Sequence, residues 1–146
     1  MGNNHHWKRM YAQRPKLELA RVLLVHPELA PRLTLQTILQ ASGYMVDMAA
    51  SIPEALVKLD ENQYDLVLSE AECGSSEGGR KLLAYARVKS YKPATALITA
   101  SEASERATGW SNIAIHTENL PTLLAKVAEL IGIRAIRRYR PLHQAI

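Results

Sequence analysis

Glu70 closes an apolar run. In Tyr64-Asp65-Leu66-Val67-Leu68-Ser69-Glu70, no residue from Leu66 to Leu68 alternates to a wet face. The pattern predicts a strand buried on both sides, with a carboxylate delivered at its C-terminal end. Two histidines stand in comparable places, His26 after Leu19 to Val25 and His116 after Ile113 to Ile115. A carboxylate and two imidazoles brought to one edge are the donor types of a pH-sensing or zinc-binding cluster. Left apart, they are polar residues on a solvated loop edge. Cys73 lies just past Glu70, among Glu70, Glu72 and Glu77, and their charge argues against a reactive thiolate. Gly74 to Gly79 lacks the Gly-Lys-Ser/Thr ending of a phosphate loop, and neither Ser69 nor Ser75 sits in a G-x-S-x-G elbow. With no nucleophile–base pair and no cofactor fingerprint, the chain is expected not to be an enzyme.

The elements that must position these residues follow in order. Leu19 to Val25 predicts a first strand, ended by His26-Pro27-Glu28. Pro31 suits the first turn of a helix, where its missing N–H does no harm, and Gly43 suits its C-terminal cap. Tyr44 to Ala49 predicts a second strand. Ser51-Ile52-Pro53-Glu54 has the form of a capping box, and Ile52, Ala55, Leu56 and Leu59 form a helical stripe behind it. After the strand that ends at Glu70, the glycine-rich stretch Ala71 to Gly79 predicts a loop and Arg80 to Lys89 a helix. Ala94 to Thr99 is a fourth strand, 101–108 a short polar helix with Trp110 beyond it, and Ile113 to Ile115 a last strand. Leu120, Leu123, Leu124, Val127 and Ile131 make the strongest helical stripe in the chain. Gly132 is expected to end that helix and leave a basic tail; the alternative is that Arg134 to Arg140 extends the helix, with Ile133 and Ile136 as an apolar strip beside a basic one. Strand and helix thus alternate five times with short loops. Right-handed crossovers then require an α/β fold, a doubly wound parallel sheet, and five strands suit the flavodoxin-like order 2-1-3-4-5.

Composition sets the outer bounds. A chain of 146 residues, 47% hydrophobic and 22% charged, fits one modest domain. One cysteine, no apolar leader and no membrane-length apolar run point to a reducing cytosol. The net charge of +4 is uneven. Residues 1–18 carry Lys8, Arg9, Arg14 and Lys16 against Glu18, and 132–146 carry Arg134, Arg137, Arg138 and Arg140 with no acid. Residues 19–131 hold the remaining ten basic and thirteen acidic residues. The expected organisation is a basic-aromatic arm at 1–18, a domain at 19–131 and a basic tail at 132–146. The ends, not the body, could contact nucleic acid, with Trp7 and Tyr11 able to stack on bases.

The domain resembles a receiver domain of the response regulators of bacterial two-component signalling. Arg21-Val-Leu-Leu-Val-His-Pro-Glu28, Tyr64-Asp-Leu-Val-Leu-Ser-Glu70 and Ala96-Leu-Ile-Thr-Ala100 carry the resemblance, with their mutual spacing. In that family an acidic pair after the first strand holds Mg²⁺, and an Asp after the third accepts a phosphoryl group. A Thr or Ser after the fourth strand and a Lys after the fifth contact the phosphoryl oxygens. By the resemblance, His26 and Pro27 replace the acidic pair, and Glu28 lies beyond the usual position. Glu70 replaces the acceptor and is one methylene longer. Thr99 matches the hydroxyl. His116 or Thr117, according to register, replaces the Lys. The stretch between the last two strands is short by roughly one helical turn, so a truncated fourth helix is expected.

These departures imply a stand-alone pseudo-receiver that works by protein–protein contact, with Mg²⁺ binding and normal Asp phosphorylation lost. A histidine kinase, an effector or a second copy are the implied partners, and no membrane is. A nucleic-acid-associated regulator and a receiver phosphorylated in a non-standard way are the alternatives.

Overall fold

A computed structural model describes residues 19–99 and 114–144. The arm at 1–18, the polar helix at 101–108, Trp110, Ile113 and the truncation of the fourth helix lie outside the described residues. Within them the order is β1 (Arg21–Val25), α1 (Leu29–Ala41), β2 (Met45–Ala49), α2 (Ile52–Glu61), β3 (Leu66–Glu70), α3 (Gly78–Arg87), β4 (Ala94–Thr99), β5 (Ala114–His116) and α4 (Leu120–Gln144). The five strands form one sheet in the order β2-β1-β3-β4-β5, and every pair is parallel. This is the flavodoxin-like topology expected from the sequence.

Alternate strand residues split the core into two layers. Leu23, Val25, Val67 and Leu97 face α2 and α3, where they meet Ala55, Leu59, Leu82, Leu83 and Ala86. Val22, Leu24, Leu66, Leu68, Ile98 and Ile115 face α1 and α4, where they meet Leu35, Leu39, Leu123, Val127 and Leu130. Strand β3 is buried from Leu66 to Ser69, because helices cover both of its faces.

Local signals set several boundaries. Gly43, at φ +98°, ends α1. Its N–H donates to Gln40 O at 3.0 Å, and the Tyr44 N–H donates to Leu39 O at 3.2 Å. This is a Schellman cap, and it takes Tyr44 out of β2. The Ser51 hydroxyl oxygen accepts the Glu54 N–H at 3.3 Å, and Glu54 Oε2 accepts the Ala50 N–H at 3.0 Å. The capping box therefore reaches one residue further back than the usual reciprocal pair. Leu19, 51% exposed, precedes the first strand instead of starting it.

Helix α4 follows the longer of its two expected courses, and Gly132 does not end it. It runs through Gly132 to Gln144, so the basic tail is helical. A helix-interior glycine costs roughly 1 kcal/mol relative to alanine, and an anchor just beyond it outweighs that. Arg134, 9% exposed, donates from Nε to Lys92 O at 3.0 Å and from Nη2 to Tyr91 O at 2.7 Å. Its Nη1 meets Asp65 Oδ1 at 2.5 Å, while Asp65 Oδ2 accepts the Arg21 N–H at 2.8 Å. These contacts tie α4 to β1, β3 and the start of β4.

Candidate functional site

The candidate residues reach the C-terminal edge of the sheet by separate routes. His26 is placed by the last rung between β1 and β2, its N–H donating to Ala49 O at 3.0 Å. Pro27 has no N–H, so the ladder cannot continue. The His26 Nδ1 accepts the Glu28 N–H at 3.1 Å, which puts the ring proton on Nε2. Arg32 donates from Nη1 to His26 O at 2.8 Å. Burial pushes the His26 pKa down; Glu28 opposes that shift and Arg32 adds to it.

Strand β3 delivers Glu70 opposite Ile98 of β4. Ser69, fully buried, satisfies its hydroxyl on Glu70 O at 3.1 Å. The Glu70 carboxylate is half-buried. Its Oε2 accepts the Glu72 N–H at 2.9 Å, so it folds back on its own loop. Burial raises its pKa. The Glu72 N–H works against that rise, and the charges of Glu72 and Glu28 add to it.

Thr99 ends β4, is 4% exposed and stands in register with His116 of β5. Its Oγ1 lies 3.4 Å from His116 Nδ1. The Thr117 N–H and hydroxyl both donate to Thr99 O, at 3.0 and 3.3 Å. A pocket of about 340 Å³ opens at this edge, lined by His26, Pro27, Glu28, Pro31, Glu70, Glu72, Ile98, Thr99 and Thr117.

Of the positions singled out in the sequence, Glu70, His26, Pro27 and Thr99 therefore share one pocket. Thr117 lines it and His116 does not. The cluster of His26, Glu70 and His116 is not assembled, because the Thr99–His116 rung leaves the next residue, Thr117, on the pocket wall. No group of three or more His, Cys, Asp or Glu side chains suited to a metal ion occurs among the described residues. Cys73 is buried, and burial pushes its thiol pKa up, with the Glu70 charge adding to the effect. Sequence reasoning missed Glu72 as the partner of Glu70. The only signal was its spacing, which suits a side chain that caps its own turn. The roles of Pro31 and Ile98 as pocket wall had no sequence signal.

The charge on Glu70 opposes folding. Its folded pKa is raised, so the neutral form is favoured in the native state, and ionisation above the ordinary value of 4.5 lowers stability. Glu70→Gln keeps an oxygen for the Glu72 N–H and removes the charge. The substitution is expected to raise the urea midpoint at pH 7, and the advantage is expected to vanish well below pH 4.5, where the Glu70 carboxyl is protonated in the folded and the unfolded chain alike. Urea titrations at the two pH values check it. A lower midpoint at pH 7 would mean that the charge stabilises the loop.

The chain has the fold of CheY-like response-regulator receiver domains. A receiver domain from Methanospirillum hungatei superposes with a TM-score of 0.69 at 24% identity, covering 82% of this chain and 99% of that one. A response regulator receiver protein from Sinorhizobium medicae gives 0.70 at 21%, covering 81% and 98%. The response regulator TrrA from Thermotoga maritima, solved in complex with Mg²⁺-BeF, gives 0.65 at 28%, covering 77% and 99%. No family model matches the chain, and no curated protein matches its sequence. No helix among the described residues is long and apolar enough to cross a membrane.

Proposed function

We propose that this protein is a pseudo-receiver, a receiver-fold signalling protein that acts by contact with other proteins and without phosphoryl transfer at Glu70. The observation that carries the reading is the state of the Glu70 carboxylate. It is engaged by its own loop and flanked by Glu28 and Glu72. Phosphoryl transfer depends almost wholly on positioning and on neutralising charge. His26 and Pro27 offer no carboxylate where the family holds Mg²⁺, and the His26 Nδ1 is already an acceptor for Glu28 N–H. Mg²⁺ prefers several oxygen ligands in a near-octahedral array, and these residues do not fit that demand. Thr117 brings no charge to the pocket in place of the family's Lys. The five-stranded sheet and the helices packed on it persist among the described residues, and they offer surfaces to a histidine kinase, an effector or a second copy.

The test is incubation with acetyl phosphate and Mg²⁺, read by intact-mass spectrometry. The expected result is no adduct above that of Glu70→Gln. A parallel titration with Mg²⁺ and beryllofluoride, followed by NMR of the residues around Glu70, is expected to show no saturable shift. A stoichiometric adduct that disappears in Glu70→Gln would overturn the reading in favour of a working receiver.

A further inference from the structure

Helix α4 changes character where it passes the edge of the sheet. Leu123, Val127 and Leu130 are buried against the strands. Arg134, next on the same stripe, is held by Asp65 and by the carbonyls of Tyr91 and Lys92. Beside it Ile133 is 38% exposed and Ile136 64% exposed. Arg137 and Arg138 are exposed as well, and Arg137 shares one helical stripe with Ile133 and Ile136. Residues 133–144 hold four arginines and no acid.

We propose that this part of α4 is a docking face for an acidic amphipathic helix of a partner protein. Its apolar residues would cover Ile133 and Ile136 while a carboxylate meets Arg137, which flanks them on the same face. Charge complementarity selects this occupant. A second copy would bring the same arginines against themselves. The chain's own residues 1–18 are basic too, with Lys8, Arg9, Arg14 and Lys16. Nucleic acid would engage the arginines and leave both isoleucines wet. Two isoleucines also give too little apolar area to hold a helix in a lipid interface. The Arg134 contacts fix the direction of the helix before a partner arrives, which lowers the ordering cost of docking. The inference stands whether or not Glu70 is ever modified.

The probe is a fluorescent synthetic helix with Leu at i, i+3, i+4 and i+7, flanked by Glu and titrated with the full chain by anisotropy. A scrambled peptide of the same composition and a DNA duplex are the comparisons. Ile136→Glu and Arg137→Glu are each expected to weaken binding by about tenfold or more, the equivalent of roughly 1.4 kcal/mol. Both side chains are exposed, so circular dichroism should confirm unchanged folding. The scrambled peptide should bind about tenfold more weakly than the patterned one. Equal binding of the two peptides, wild-type affinity in both variants, or tighter binding of the duplex would each overturn the proposal.

Discussion

Replacing Gly78 with alanine is expected to destabilise the domain by about 3 kcal/mol, the upper part of the range for overpacking a close-fitting site. A Cβ built on Gly78 would stand 1.6 Å from Cys73 O and 2.8 Å from Cys73 C. Both obstacles are backbone, so no side chain can rotate away. Gly79 is similarly confined, since its Cβ would lie 2.4 Å from Glu70 O and 2.9 Å from Ala71 O. The first turn of α3 therefore rests directly on the loop that shapes the Glu70 pocket, and the Gly79 N–H donates to Ala71 O at 3.1 Å. Any accommodation must lift α3 or push the loop into the pocket. Gly132 is the internal control. It too is helical, but an added Cβ there meets nothing within 4 Å. Gly132→Ala should gain about 1 kcal/mol from helix propensity. Urea unfolding of the two variants beside the parent is the measurement. If Gly78→Ala matches Gly132→Ala, the tight seat of α3 on the loop is wrong.

Arg134→Met is expected to cost about 3 kcal/mol, the low end of the 3–5 kcal/mol typical for breaking a buried ion pair. The low end applies because the Asp65 side chain is 32% exposed and water can partly replace its partner. Methionine keeps much of the apolar stem and loses all three guanidinium contacts. Asp65 then retains the Arg21 N–H, whereas the carbonyls of Tyr91 and Lys92 lose the donors Arg134 supplies. Arg134→Lys should recover only about 1 kcal/mol, since a single ammonium cannot span a carboxylate and two carbonyls at once. A double-mutant cycle with Asp65→Asn should give a coupling energy of at least about 1 kcal/mol. Lack of coupling would assign the stability of α4 to its apolar stripe alone. Hydrogen exchange beyond Gly132 supplies a second readout, because loss of the anchor should speed exchange there more than near Leu123.

Periodicity carried most of the architecture. Runs such as Val22 to Val25 and Leu66 to Leu68 are apolar at every position, which only a strand covered on both faces tolerates. That pattern, repeated with helical stripes between, leaves little choice but a parallel sheet. Gly43 and the Ser51–Glu54 box marked helix ends because their physics is local, a left-handed φ and a reciprocal cap. The end of α4 stayed open in the sequence for the opposite reason. Glycine propensity is a local preference, and the contacts that override it come from Asp65, Tyr91 and Lys92, far away in the chain. The stripe itself held the clue, since Arg134 follows Leu130 at helical spacing.

The site divides in the same way. That a carboxylate stands at position 70 and none at 26 or 27 is a matter of residue type, and the sequence alone determined it. Where the Glu70 carboxylate points could not be read there. Only the tertiary structure turned it onto the Glu72 N–H, brought Glu28 beside it, and set Thr117 rather than His116 on the pocket wall. Residue identity and spacing fix which groups reach an edge. The rungs between β4 and β5 and the seat of α3 on its loop decide which of them meet.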